Sequence, residues 1–92
     1  MDVYAQIATK IIKSQEAIIG PVAVEQAQQI TGLKVDWTAQ QVSVTGDEAK
    51  VIDQLVEKYK GLFGQLSVEV CKDAASSLLG QLPSGGLPET LK

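Results

Sequence analysis

Histidine, arginine and asparagine are absent from this 92-residue chain. Without histidine there is no side chain whose ordinary pKa lies near neutrality, so the commonest general acid/base and metal ligand is missing. Without arginine there is no two-pronged donor for phosphate, carboxylate or guanine. All eight basic residues are lysines, dispersed along the chain and outnumbered by eleven acids, for a net charge of −3. Neutralising a phosphate backbone needs a basic face, so nucleic acid is excluded as an expected partner. Cysteine occurs once, as Cys71, which rules out an internal disulfide and suits a reducing compartment. The longest apolar run, Ala17 to Val24, is broken by Gly20-Pro21. A bilayer span takes roughly 20 apolar residues, so no membrane insertion is expected. The first residues lack the basic start of a signal peptide, and the expectation is a cytoplasmic protein.

What remains is ordinary for a globular domain: 45% hydrophobic and 21% charged residues. The length suits a single domain. Residues 1–82 are assigned to it. Residues 83–92, rich in Gly and Pro and poor in apolar groups, are expected to stay a flexible tail.

Residues 2–31 carry a helical stripe of Val3, Ile7, Ala8, Ile11, Ile12, Ile18, Ile19 and Val22 behind a capping Asp2. Pro21 has no N–H for the Ala17 carbonyl, so the helix kinks there or ends and restarts. Gly32 suits a left-handed closing residue after a second piece from Val22 to Ile30. Residues 33–45 alternate as a β-hairpin. Pairing Val35 with Val44 and Trp37 with Val42 keeps the apolar residues on one face and leaves a four-residue loop, 38–41. The other apolar-matched register demands a two-residue Thr38-Ala39 turn, for which these residues are poor. Thr45 or Asp47 caps the next helix, whose stripe is Val51, Ile52, Leu55, Val56, Tyr59, Leu62 and Phe63. After a bend near Gly61 and Gly64, residues 66–81 read as a further helix, with a strand at 66–71 as the alternative. The fold class is α+β, in the order helix, kinked helix, β-hairpin, helix, helix. A lone two-stranded hairpin is marginal, so the small antiparallel sheet is expected to be completed by dimerisation.

Candidate chemistry is sparse. Cys71 lies on an apolar stripe with Val68 and Ala75 and has no histidine to activate it, so it reads as a packed thiol before a redox centre. The pairs Asp53/Glu57 and Glu69/Asp73 have lysines nearby and read as solvated helix faces. No catalytic, cofactor-binding or metal-ligating residue is assigned, and no enzyme activity is expected. The strand–strand–helix order resembles pieces of KH-like and heavy-metal-associated domains in element order alone. The Gly-x-x-Gly loop of the first is not where it belongs, and the Cys-x-x-Cys loop of the second is missing. Leu87-Pro88-Glu89-Thr90 resembles the cell-wall sorting motif read by sortases, with Leu91 where that motif has Gly.

The expected function is that of a small non-enzymatic interaction protein that self-associates, an adaptor or assembly factor working as a homodimer or on another protein. Its interaction surface is assigned to Ile11, Ile18, Val22 and Trp37, the apolar groups hardest to bury within one short chain. The alternatives are a binder of a small apolar ligand, held between the kinked helix and the sheet, and a Cys71-dependent redox protein.

Overall fold

The computed structural model describes residues 2–83 and 85–92. Helix α1 (Val3–Ile19) starts where the sequence provides a cap: the Asp2 carboxylate accepts the Ala5 N–H at 2.8 Å. One face of α1 buries Ala5, Ile7, Ala8, Ile11, Ile12 and Gln15, at the spacing of a core-facing helix. Helices α2 (Val22–Ala27), α3 (Glu48–Phe63) and α4 (Gln65–Leu79) and the second strand of the hairpin all pack against α1.

Gly20-Pro21 ends one helix and begins another. Gly20 has φ 77° and returns its N–H to the Glu16 carbonyl at 2.9 Å, while Pro21 already has the helical φ of −59°. Helix α2 stops at Ala27 and turns carry the chain to Gly32. Gly32 has φ 89°, and a Cβ there would stand 2.9 Å from Val51 Cγ2 and 3.0 Å from the Thr45 carbonyl oxygen. Both the backbone and the space therefore demand glycine.

Strands β1 (Leu33–Asp36) and β2 (Gln41–Val44) form the antiparallel hairpin, but not in the expected register. Val35 faces Val42 and Leu33 faces Val44, so Val35 does not pair with Val44 and Trp37 does not pair with Val42. Both registers keep the same residues on the same face, and the loop decides between them. The one that forms is the other apolar-matched register, set aside above for its Thr38-Ala39 turn: Gln40, at a left-handed φ of 55°, donates its N–H to the Trp37 carbonyl at 3.1 Å, with Thr38 and Ala39 between them. The Asp36 carboxylate accepts the Ala39 N–H at 3.3 Å and so folds the turn on itself. Released from the strand, Trp37 donates its indole N–H to Glu16 of α1 at 3.0 Å. At the other end Thr45 continues the pairing, with its N–H 2.8 Å from the Gly32 carbonyl. Asp47 is then left to cap α3, accepting the Lys50 N–H at 3.3 Å.

Helix α4 includes residues 66–71, so the strand alternative there is not realised. Ser67, Val68, Cys71, Ala75 and Leu78 are its buried positions. Of the segment set apart as a flexible tail, residues 88–91 are docked. A 3-10 turn at Glu89–Leu91 packs on α3 and α4, Leu91 is 3% exposed, and Pro88 is fully buried. The radius of gyration is 11.6 Å, against about 12 Å expected for a compact domain of this length. Composition hides this docking, because two apolar groups and one carboxylate partner on α3 suffice for it.

The ends of α1 and α3 bring Glu48 beside Asp2. One Glu48 carboxylate oxygen is buried with no hydrogen-bond partner. Burial, then a hydrogen bond with Asp2, then the Asp2 charge raise the Glu48 pKa above the usual carboxylate range. A raised folded-state pKa favours folding below the ordinary carboxylate pKa, and that contribution is lost as pH rises through the raised value. Glu48→Gln is therefore expected to unfold at a higher temperature than the native chain at neutral pH. The two should converge in acid, in paired melts followed by circular dichroism from pH 4 upward.

Candidate interaction surface

Two long-range hydrogen bonds gather four helix termini at one end of the molecule. The Tyr59 hydroxyl, buried near the end of α3, donates to the Ala23 carbonyl in the first turn of α2 at 2.6 Å. Gln15, near the end of α1 and 1% exposed, donates its amide to the Ser67 carbonyl in the first turn of α4 at 3.1 Å. The same amide reaches Cys71 Sγ at 3.4 Å. The last turns of α1 and α3 and the first turns of α2 and α4 thus share one end. Ile18, Val22, Leu62, Phe63 and Leu66 project there into solvent, with Leu66 75% and Ile18 63% exposed. These are all the exposed large apolar residues found among the described ones.

Of the four residues assigned from sequence, Ile18 and Val22 lie on this apolar end. Ile11 does not: it is 0% exposed, enclosed in the core with Ile7 and Ile12. The reason is geometric, since α1 is covered by its neighbours along most of its length and emerges from them only near Ile18. Trp37 is half-buried against the core and its indole N–H is already bonded to Glu16, so it ties the hairpin loop to α1. Leu62 and Phe63 belonged to the α3 stripe and Leu66 to the strand-like alternation. Their exposure follows from the chain breaking at Gly64, where α3 ends and α4 begins.

The electrostatics around the thiol point away from reactivity. Cys71 is fully buried and its pKa is pushed up to about 11 by burial, with the Gln15 hydrogen bond pulling weakly the other way. A thiol with that pKa holds almost no thiolate at neutral pH. Burial, and to a lesser degree the nearby Cys71, also raise the Tyr59 pKa, so its hydroxyl stays a donor to Ala23.

A hollow of about 510 Å³ lies over the hairpin, lined by Lys34, Val35, Asp36, Gln41, Val42 and Ser43. Four of these are exposed polar residues, and no residue of the paired helices contributes. Among the described residues there is no group of three or more cysteine or acidic side chains able to hold a metal ion. No helix among them is long and apolar enough to cross a membrane. No protein-family model, curated protein or solved structure matches this chain.

The division between core and surface has measurable consequences. Ile11→Ala should cost about 2–5 kcal/mol of unfolding free energy in urea titrations. Ile18→Ala should stay within about 0.5 kcal/mol of the native chain. In thiol titrations with an aromatic disulfide, Cys71 should remain unreacted in the native protein and react at once in denaturant.

Proposed function

We propose that this protein is a small non-enzymatic interaction protein that associates with a second copy of itself through its apolar end, in the manner of an adaptor or assembly factor. The observation that carries this reading is the convergence of Ile18, Val22, Leu62, Phe63 and Leu66 at one end of an otherwise closed body. Large apolar groups scattered singly on a surface need no explanation, whereas a group of five at the meeting of four helix termini supports a contact there. A two-fold interface must complement itself, and apolar side chains meet that requirement with no pairing rules.

The hairpin is a weaker candidate for the contact. Its strands are only four residues long, and the Gln28 amide lies 3.5 Å from the Val35 carbonyl, which blunts one edge. An apolar-ligand binder would need an enclosed apolar space, and the hollow over the hairpin is open to solvent, with only Val35 and Val42 as its apolar residues.

Light scattering across a concentration series should show a monomer of 9.8 kDa giving way to a dimer. Leu66→Glu should hold the protein monomeric throughout the series, and its unfolding temperature should match that of the native chain at the dilute, monomeric end. A native chain that stays at 9.8 kDa at every concentration would overturn the reading.

A further inference from the structure

The docked segment 87–92 is held as a ligand is held. A single carboxylate, Asp53 of α3, accepts the Glu89 N–H at 3.2 Å, the Thr90 N–H at 2.9 Å and the Thr90 hydroxyl at 2.7 Å. It thereby caps the free N–H groups of the 3-10 turn from outside the segment. Leu91 fills a place in the core, and Pro88 is buried beside it. The Gly86 carbonyl accepts the Tyr4 hydroxyl at 2.7 Å, and a Cβ on Gly86 would stand 2.5 Å from that oxygen. The site thus reads a short pattern in 87–92: a buried proline, an exposed acid, a threonine with its N–H and hydroxyl presented together, and an aliphatic plug, with Gly86 close-packed just ahead of it. These contacts bridge 36, 37 and 82 positions of sequence. None is imposed by chain neighbourhood, and all are available to the same segment of another molecule.

From this geometry we infer that the groove between α3 and the end of α4 is a peptide-recognition site, filled in cis by residues 87–92 and able to take the same segment of a second copy in trans. The connection from the end of α4 to Leu87 is seven residues, 80–86. Extended, it spans about 23 Å, comparable to the 21 Å short dimension of the molecule, so a neighbouring groove is within reach. Exchange of a terminal element between identical copies replaces each contact by an identical one and has little net cost. In one molecule the cis segment competes at the high effective concentration of a short tether. The groove is therefore free only while its own segment is released. Because the groove uses none of the five exposed residues of the apolar end, this inference stands independently of the proposed dimer.

Two full-length variants with complementary defects test it, both carrying Leu66→Glu to silence the apolar end. Asp53→Ala breaks the groove and leaves the segment intact; Leu91→Asp breaks the segment and leaves the groove intact. Light scattering of each alone should give monomer, and an equimolar mixture should give a one-to-one complex of twice that mass. A mixture that stays monomeric while both variants are folded by circular dichroism overturns the inference. Should either variant fail to fold, amide hydrogen exchange on the native chain decides. Exchange at Glu89 and Thr90 at least tenfold faster than at Leu55 and Val56 supports a segment that opens as its own unit. Exchange at the same rate as those core amides overturns it.

Discussion

The buried face of α1 supports α2, α3, α4 and β2. Ile7, Ile11 and Ile12 are wholly enclosed by side chains from α3, α4 and the hairpin, and each such burial is worth about 1.5–3 kcal/mol. Gln15 adds direction to this non-directional attraction. Its amide is too costly to bury unpaired, so α4 must offer the Ser67 carbonyl at the matching height. That single polar requirement fixes how far α4 slides along α1, and with it where Gly64 and the exposed Leu66 come to lie. The apolar end is in this sense a consequence of register between two helices.

Much of the architecture could be read from the residues alone. Asp2 before an apolar stripe, Gly20-Pro21 between two stripes, and Asp47 before Val51 and Ile52 are local signals, and each is realised by a bond or dihedral within a few residues. The hairpin register was not legible, because shifting the pairing by two residues conserves which side chains share a face. The turn bonds at Trp37–Gln40 and Asp36–Ala39 go with the register that forms, and in it Trp37 meets Glu16, 21 positions away. The docking of residues 87–92 was hidden for the same reason. Asp53 reads as one of several acids on a solvated face, and its ligands lie 36 and 37 positions away.

The surface assignment shows where periodicity stops being informative. Ile11 and Ile18 are equally apolar members of one stripe, yet one is sealed and the other bare. Spacing says which side of a helix faces inward; it cannot say how far along that side the neighbours extend. Leu62, Phe63 and Leu66 follow the same rule, each a regular member of a pattern that continues past the end of its cover. The signal that could have found them is the glycine at position 64, since a break between two antiparallel helices leaves the last and first turns without a facing layer.

The pairing of the first helix with the last has a kinetic side. Gln15 and Ser67 are 52 positions apart, and Tyr4 and Gly86 are 82 apart. Closing loops of that size costs chain entropy before any of the core contacts repay it, whereas the hairpin and the α3–α4 corner close over short distances. Docking α1 against α4 therefore carries the larger entropic cost of closure, and the hairpin and the α3–α4 corner the smaller.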